Sequence, residues 1–192
     1  MQKLGLTGSI ATGKSTVLAM IRDLGVPTFS ADEAVHALYQ GEAVPVVEAL
    51  FPGVSHNGAI DRNKLAAGLV ADPERLKQLE AVVHPLVRKR MARFLSETES
   101  TGAPLAVVDI PLLYETGFDY GLDGVIVTVV DPDEQRRRAF ERPGMTQEKF
   151  DAILARQLPQ DEKAKRATYV IDTSGTLDET REAVAEIVAA AQ

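Results

Sequence analysis

A glycine-rich motif near the start of the chain constrains the fold more than any other feature of the sequence. Residues 8–15 read Gly-Ser-Ile-Ala-Thr-Gly-Lys-Ser, which matches the phosphate-loop pattern G-x-x-x-x-G-K-[ST] in full. The segment Lys3 to Leu6, read as a strand, precedes the motif, and a helical pattern from Lys14 to Leu24 follows it. In a strand, loop and helix of this kind, successive backbone N–H groups and the helix N-terminus face an anion. The alternative is a glycine-rich loop that only turns the chain.

Each residue type in the motif has a physical role toward a nucleoside triphosphate. Gly8 and Gly13 permit backbone conformations and close approaches that a Cβ would block. Lys14 adds a mobile positive charge for the outer phosphates, and the Ser15 hydroxyl can ligate Mg²⁺. We therefore expect ATP and Mg²⁺ at this loop. The residues expected to contact ATP here are Gly8, Ala11, Thr12, Gly13, Lys14, Ser15 and Thr16.

Short apolar strands alternate with helical stretches along the chain. Beyond Lys3–Leu6, the pattern predicts strands at Val26–Phe29, Ala103–Val108, Gly124–Val130 and Tyr169–Ile171. Continuous apolar runs of this length are typical of strands buried on both faces in a parallel sheet. Helix starts are marked by N-cap signals at Asp72-Pro73, Asp131-Pro132 and Thr176-x-x-Glu179. The sum predicts an α/β fold with a doubly wound five-stranded parallel sheet.

Two stretches interrupt this alternation. Residues 34–101 are helical in pattern throughout and predict an insertion that could supply a substrate pocket. Residues 136–166 contain nine Lys or Arg against five Asp or Glu, in a chain whose formal net charge is −7. This excess indicates either a phosphate-gripping lid or a solvated pair of helices. We expect a single domain, 1–192, with a nucleotide core at about 1–33, 102–133 and 167–192, a helical substrate region at about 34–101 and a lid at about 134–166.

Composition and charge argue against several classes of protein. A net charge of −7 disfavours a general nucleic-acid binder, which needs a basic surface. No apolar run approaches the ~20 residues that span a bilayer, and a motif that begins at Gly8 leaves no room for a signal peptide. The chain has no cysteine, which excludes disulfides and thiolate metal sites and suits a reducing cytoplasm. We expect a cytoplasmic monomer or weak homo-oligomer.

Two aspartates and two arginines are candidates for the chemistry. Asp32 follows the second predicted strand, at the sheet edge where ligands bind, and is either a base toward an attacking hydroxyl or an N-cap. Asp109 ends the apolar run 105–108 and is either a second Mg²⁺ ligand or an ordinary buried strand end. Arg138 and Arg142 are four residues apart, so on a helix they share a face that could hold phosphate oxygens.

Several segments together resemble the dephospho-coenzyme A kinase family over nearly the whole chain. They are Leu6 to Val17, Ala31-Asp32, Ile60-Asp61-Arg62 with Leu65, Leu79-Glu80, His84-Pro85-Leu86, Asp109 to Glu115, Arg138, Arg142, Arg156-Gln157, Lys163, Val170-Ile171-Asp172 and Gly175. The resemblance implies a P-loop kinase fold and Mg²⁺-dependent phosphoryl transfer from ATP to the ribose 3′-hydroxyl of dephospho-coenzyme A.

The resemblance also assigns residues to the reaction. It implies that Asp32 is the catalytic base, and we expect Lys14 and Arg138 to assist by their charge on the phosphates. The expected acceptor side comprises Asp32, Arg62, His84, Pro111, Leu112, Leu113 and Glu115, and Arg142 is expected at ATP. Without the resemblance, His84 reads as a helix-terminal or partly buried histidine, since His84-Pro85 joins two helical segments in the pattern.

The sequence departs from the family pattern at a few positions. Ser30 stands in place of an aspartate, Ala11-Thr12 in place of Gly-Ser, and Pro143 in place of a frequent aspartate. Thr168 and Thr173 stand where aspartate and asparagine are common near the adenine. We expect these changes to bear on base selectivity and lid mobility more than on the reaction.

Two other functions share parts of the pattern. Another small-molecule kinase, acting on a nucleoside monophosphate or a sugar acid, would have the same loop, core and lid. The segments 84–85 and 111–115 disfavour it. A nucleotide-dependent adaptor that binds ATP and a partner without catalysis would not need Asp32 together with basic lid residues.

Overall fold

The computed structural model of the protein describes residues 1–69 and 73–192. The strands are β1 (Gln2–Gly8), β2 (Thr28–Ser30), β3 (Ser55–His56), β4 (Ala59–Ile60), β5 (Leu105–Asp109), β6 (Gly124–Val129) and β7 (Tyr169–Asp172). The helices are α1 (Lys14–Asp23), α2 (Ala31–Leu38), α3 (Val44–Leu50), α4 (Arg62–Leu69), α5 (Pro73–Ser100), α6 (Pro132–Phe140), α7 (Gln147–Leu154), α8 (Gln160–Arg166) and α9 (Leu177–Ala190). The chain forms two units, residues 1–29 with 97–192 and residues 30–96.

Five strands form one sheet in the order β2-β5-β1-β6-β7. Strand β1 runs parallel to β5 and to β6, with Leu4 opposite Val107 on one side and Gly124 on the other. Strand β7 runs parallel to β6. The predicted doubly wound five-stranded parallel sheet is therefore confirmed. Because β1 is central, its carboxyl end lies between those of β5 and β6, at the edge where parallel α/β sheets bind ligands.

The first unit is held together by a core in which apolar side chains of the sheet pack against those of its covering helices. Leu4 and Leu6 of β1 are completely buried and belong to the same core cluster as Ile21 of α1 and Val184 of α9. Full burial explains why these strands read as continuous apolar runs. The same core holds the ends of β1, β5 and β6 in position for the site.

The second unit has its own core and is not helical throughout. Strands β3 and β4 form an antiparallel hairpin with Ser55 opposite Ile60, so the prediction of a wholly helical stretch from 34 to 101 was wrong. The turn is Asn57-Gly58, and both residues have positive φ, 50° and 79°. Asn-Gly is the usual two-residue turn of a hairpin, because both positions require left-handed backbone.

Helix α5 continues through the predicted His84-Pro85 junction. It runs from Pro73 to Ser100 with Pro85 inside it. His84 is therefore neither helix-terminal nor buried, and it lies exposed on this helix. A proline inside a helix removes one backbone hydrogen bond, so a proline in a helical pattern is usually interpreted as the end of the helix.

The helix starts confirm two of the three N-cap signals. Asp131 accepts hydrogen bonds from the N–H groups of residues 133 and 134, and Thr176 forms a complete capping box with Glu179. The third signal, at Asp72, lies outside the described residues.

A buried ion pair attaches the basic stretch to the rest of its unit. Lys163 of α8 is completely buried, and its Nζ lies 2.8 Å from Glu115 Oε1. The same oxygen accepts a hydrogen bond of 2.8 Å from the Leu158 N–H. Within the described residues Nζ and Glu115 Oε2 have no hydrogen-bond partner, so charge attraction is what joins the pair. Lys163, one of the basic residues of this stretch, is therefore used in a contact inside the protein.

Substitution of one partner of this pair should destabilise the fold strongly. In Lys163→Met the Glu115 carboxylate keeps its charge in a buried place, which we expect to cost about 3–5 kcal/mol of unfolding free energy. The double variant Lys163→Met/Glu115→Gln should recover most of the loss, because the uncompensated charge is gone. Urea unfolding measures both.

The control is Lys165→Met on the same helix. Lys165 is exposed and pairs with Glu162, so its replacement should change the unfolding free energy by less than about 1 kcal/mol. Equal losses for the variants at 163 and 165 would contradict the role given to the buried pair.

Candidate active site

The phosphate loop joins the carboxyl end of β1 to the N-terminus of α1. Gly13 has a left-handed φ of 79° and directly precedes Lys14, the first residue of the helix. No side chain caps this N-terminus, and its first turn contains no acidic residue. The first N–H groups of a helix have no intrahelical acceptor, so an uncapped N-terminus behind a glycine-rich turn suits a phosphate group. Ser15 and Thr16 are exposed here, as contact with a nucleotide requires.

Gly8 is needed because there is no space for a side chain. A Cβ at this position would lie 2.1 Å from Thr128 Oγ1 and 2.6 Å from Thr12 Oγ1. These two hydroxyls are buried and 2.7 Å apart, and Thr12 Oγ1 also bonds to the Ser9 carbonyl at 2.9 Å. The close approach expected at Gly8 is thus an approach of the loop backbone to strand β6. The Thr12 hydroxyl is thus used in contacts inside the protein.

Sequence reasoning missed Thr128. It is a completely buried hydroxyl in β6, whose other described neighbours along the strand are apolar. A lone polar residue inside an apolar strand was the available signal, since a buried hydroxyl needs a partner. Its partner could not be identified locally, because the pairing of β6 with β1 brings it beneath the loop.

Thr173 supports the other end of the loop. Its Oγ1 donates to the Thr12 carbonyl at 3.1 Å, and its side-chain atoms would lie 3.0–3.2 Å from a Cβ on Gly13. Arg138 donates to Thr173 Oγ1 at 3.0 Å and to the Thr173 carbonyl at 2.7 Å. Thr173 therefore connects α6 to the phosphate loop. Thr168 does not lie here, because its Oγ1 accepts a hydrogen bond from the Val125 N–H at the opposite end of β6.

The two lid arginines differ in their surroundings. Arg138 Nε also bonds to Glu134 at 2.7 Å, so in this structure its guanidinium is held by protein groups. Hydrogen bonds from Arg137, and then from Arg138, hold the pKa of Glu134 at about 2, so this carboxylate stays charged down to strongly acidic pH. Arg142 is exposed and lies beyond the end of α6 at Phe140. The prediction that Arg138 and Arg142 share a helix face was wrong.

Lys14 and Asp109 come together at the loop. Asp109 ends β5 opposite Leu6 of β1, and its Oδ1 lies 2.5 Å from Lys14 Nζ. The side chains are 14% and 4% exposed. Asp109 is therefore a buried strand end whose carboxylate pairs with Lys14 of the loop, and its role as a Mg²⁺ ligand stays a prediction.

The oxygen groups at the loop fit a magnesium ion carried in with a nucleotide. The exposed Ser15 hydroxyl and the Asp109 carboxylate are hard oxygen donors of the type Mg²⁺ takes together with phosphate oxygens and water. In residues 1–69 and 73–192 there is no group of three or more His, Cys, Asp or Glu side chains that could hold a metal. This donor set suits an ion bound chiefly by the nucleotide, with one or two protein ligands.

Asp32 is not the cap of its helix. Helix α2 begins after Ser30, whose side chain accepts a hydrogen bond from the Glu33 N–H. The N-cap interpretation of Asp32 was therefore wrong, and Ser30, which stands where the family has an aspartate, is the cap. Asp32 lies in the first helical turn, two residues beyond β2, with its side chain exposed.

The segment after β5 is built partly into the protein. The Pro111 carbonyl accepts a hydrogen bond of 3.0 Å from Thr7 Oγ1. Leu113 is buried against Gly5, and a Cβ on Gly5 would lie 2.7 Å from Leu113 Cδ1. Leu112 is partly exposed. Glu115, expected on the acceptor side, has one oxygen bound to the lid as described above. In the second unit, Arg62 and His84 are both exposed.

Adding one methyl group at Gly8 should destabilise the protein. The two hydroxyls that a Cβ at Gly8 would meet are buried and hydrogen-bonded to each other, so we expect Gly8→Ala to cost about 1–3 kcal/mol of unfolding free energy in urea. The control is Gly68→Ala in α4, where a Cβ would meet nothing within 4 Å. A helical alanine there should raise stability by up to about 1 kcal/mol. A Gly8→Ala protein as stable as the parent would contradict the packing account of this glycine.

Comparison with known proteins agrees with the geometry. The family model described as dephospho-CoA kinase matches residues 2–179. The dephospho-CoA kinase of Rhizobium meliloti is 54% identical over 185 residues, which cover 96% of this chain and 95% of the relative. Structure TT1252 from Thermus thermophilus superposes with a TM-score of 0.83 at 38% identity, covering 100% of this chain and 98% of that one. A dephospho-CoA kinase structure from Campylobacter jejuni gives 0.72 at 24% identity, with 100% and 97% covered, and supports the fold.

A family model that spans nearly the whole chain and a named relative of similar length at 54% identity establish the family. The match includes the phosphate loop with Lys14 and the strand end at Asp109. This chain belongs to the dephospho-CoA kinase family and has the P-loop kinase fold.

Proposed function

We propose that the protein transfers the γ-phosphoryl group of ATP to the ribose 3′-hydroxyl of dephospho-coenzyme A, giving coenzyme A and ADP. Family membership supports this reaction, and the phosphate loop with Lys14 Nζ 2.5 Å from Asp109 is the observation in the structure that carries it. Another small-molecule kinase or a non-catalytic adaptor is not favoured by any feature of the described residues.

The phosphate loop is the proposed binding site of the donor's phosphates. The N-terminus of α1 and the loop N–H groups would hold the β- and γ-phosphates, and Lys14 would exchange Asp109 for phosphate oxygens when ATP enters. Phosphoryl transfer has a loose transition state with charge on the equatorial oxygens, so a lysine preset beside them lowers the barrier by electrostatics and positioning.

Mg²⁺ is the proposed cofactor, with Ser15 and Asp109 as the protein groups that would hold it. A bound Mg²⁺ would neutralise charge on the phosphates. Arg138 would act on the transferred group only after its guanidinium leaves Thr173, and Arg142 is already exposed to solvent. We retain both arginines as proposed contacts of ATP.

We propose that the second unit, residues 30–96, binds the acceptor, with Asp32 as the base. An exposed carboxylate that the helix does not use as its cap is available to accept the proton of the 3′-hydroxyl. Arg62 and His84 are proposed contacts of the acceptor from the same unit, and Pro111, Leu112, Leu113 and Glu115 from the segment after β5. Leu113 and Glu115 would contribute through main-chain atoms, because the Leu113 side chain and Glu115 Oε2 are buried.

Location and assembly belong to the proposal as well. None of the described helices combines the length and the hydrophobicity that a membrane span needs. We propose a cytoplasmic enzyme, a monomer or weak homo-oligomer, whose partners are its two substrates.

The reaction can be tested by ADP release with a panel of acceptors. We expect turnover of ATP with dephospho-coenzyme A, and at least a hundredfold less with adenosine, AMP or sugar acids, because the acceptor must reach a base and the γ-phosphate at once. Mass spectrometry should show dephospho-coenzyme A converted to coenzyme A by the gain of one phosphoryl group. Comparable turnover with a sugar acid would contradict the proposed acceptor, and ATP binding without acceptor-dependent turnover would indicate an adaptor.

The role of Asp32 can be tested by Asp32→Asn, which keeps size and removes charge. General-base assistance is worth ~10²–10⁴-fold, so we expect turnover to fall at least about a hundredfold with ATP binding and melting temperature nearly unchanged. The matched control is Glu33→Gln, the adjacent exposed carboxylate in the same helical turn, which should keep most of its turnover. An Asp32→Asn enzyme that retains more than about a tenth of its turnover would exclude the base role.

A further inference from the structure

Ala11, in the middle of the phosphate loop, has an unfavourable backbone conformation. Its φ is 61°, in the left-handed region that L-residues rarely adopt. Among the described residues, Asn57 is the other non-glycine residue with positive φ, and asparagine tolerates the region in a hairpin turn. Alanine has no polar side chain to compensate. Such a conformation persists only where surrounding contacts determine it, so the contacts around Ala11 are significant for the shape of the loop.

Two glutamine side chains hold the residue before Ala11 from both sides. Gln135 Nε2 donates a hydrogen bond of 2.7 Å to the Ile10 carbonyl. Gln157 Oε1 accepts one of 2.9 Å from the Ile10 N–H. The Ile10 carbonyl belongs to the peptide group that enters Ala11, so fixing its direction restricts the φ of Ala11. The two bonds together fix both peptide planes of Ile10.

Gln135 is itself held in place. Gln135 is buried in α6, and its Oε1 accepts from Gln160 Nε2 at 3.2 Å. Gln160 is bonded to the Val130 main chain through both atoms of its amide, at 2.9 and 3.2 Å. This chain of bonds orients the Gln135 amide with its nitrogen toward the loop.

Apolar packing at the same place adds to the hydrogen bonds. Ile10 and Ala11 form a buried cluster with Ala139 of α6 and Phe150 of α7. The loop therefore lies against the lid through side chains as well as through the two amides. In this structure, these contacts to Ile10 and Ala11 come from residues of the proposed lid, 134–166.

We propose that Gln135 and Gln157 are positioning residues that preform the phosphate loop by holding Ala11 in its left-handed conformation. In this role neither glutamine touches the nucleotide. Without them the loop would relax toward conformations in which its N–H groups no longer converge on a phosphate. Apparent affinity for a nucleotide falls in proportion to the fraction of molecules in the binding-competent conformation. The proposal rests on the nucleotide side of the proposed function and not on the identity of the acceptor.

The first test is to replace each glutamine by methionine, which keeps the volume and removes the amide. Binding of ADP in excess Mg²⁺, measured by calorimetry, should weaken about 2- to 10-fold in Gln135→Met and in Gln157→Met, the range one hydrogen bond contributes. In turnover assays the KM for ATP should rise while kcat at saturating ATP changes less. Gln147→Met is the matched control, because Gln147 also lies in the lid but bonds to Asp151 and Arg136 instead of the loop.

The second test separates a role at Ala11 from a merely structural one. Glycine adopts positive φ without steric cost, so in the Ala11→Gly background the loop needs less support. The loss of ADP affinity caused by Gln157→Met or Gln135→Met should therefore be smaller in that background. Circular dichroism and melting temperature identify variants that fail to fold. If Gln135→Met does not fold, the half-buried Gln157 decides the question.

The outcomes distinguish this proposal from the proposed function. ADP affinities equal to that of Gln147→Met, or losses of equal size with alanine and with glycine at position 11, would overturn the positioning role. Normal ADP binding by the parent protein without phosphorylation of dephospho-coenzyme A would count against the proposed reaction and leave the positioning role intact.

Discussion

The contact between the Thr12 and Thr128 hydroxyls, 2.7 Å apart beneath the phosphate loop, is the interaction on which the site depends. It turns the Thr12 side chain into the protein and joins the loop to β6. It also occupies the space that a side chain at Gly8 would need. Because β6 is paired with β1 along its length, the loop is fixed to the most buried part of the sheet. A site that must present N–H groups to a charged ligand needs this rigidity, since each group that has to be ordered on binding lowers the affinity.

The loop depends on the lid as well as on the sheet. On one side, the side-chain amides of Gln135 and Gln157 form hydrogen bonds to the loop, and Phe150 packs against it. On the other side, Arg138 donates a hydrogen bond to Thr173, which donates one to the loop. The lid is in turn attached through the buried Lys163 and Glu115 pair. The basic stretch is thus not a uniform set of charges for phosphate, because several of its polar groups are used to hold the loop in shape.

Charge at the loop is arranged so that it can change partners. Lys14 forms an ion pair with Asp109 in this structure, and both side chains are largely buried. An unpaired lysine in such a place would be costly, so the carboxylate stabilises the ammonium in the site. In the proposed reaction Lys14 would turn to phosphate oxygens, and Asp109 is the proposed protein ligand of the magnesium ion that accompanies them.

The sequence by itself determined the features that depend on neighbours along the chain. The phosphate loop, the five strands of the sheet and the caps at Asp131 and Thr176 each follow from a local pattern. The Asn57-Gly58 hairpin also carried a local signal, but the helical pattern around it prevailed in the prediction. The tertiary structure alone decided that Thr128 lies under Gly8 and that Lys163 is buried against Glu115. Strand register and helix packing bring these residues together over long separations in the chain, and no local pattern specifies which distant partner a buried polar group will meet.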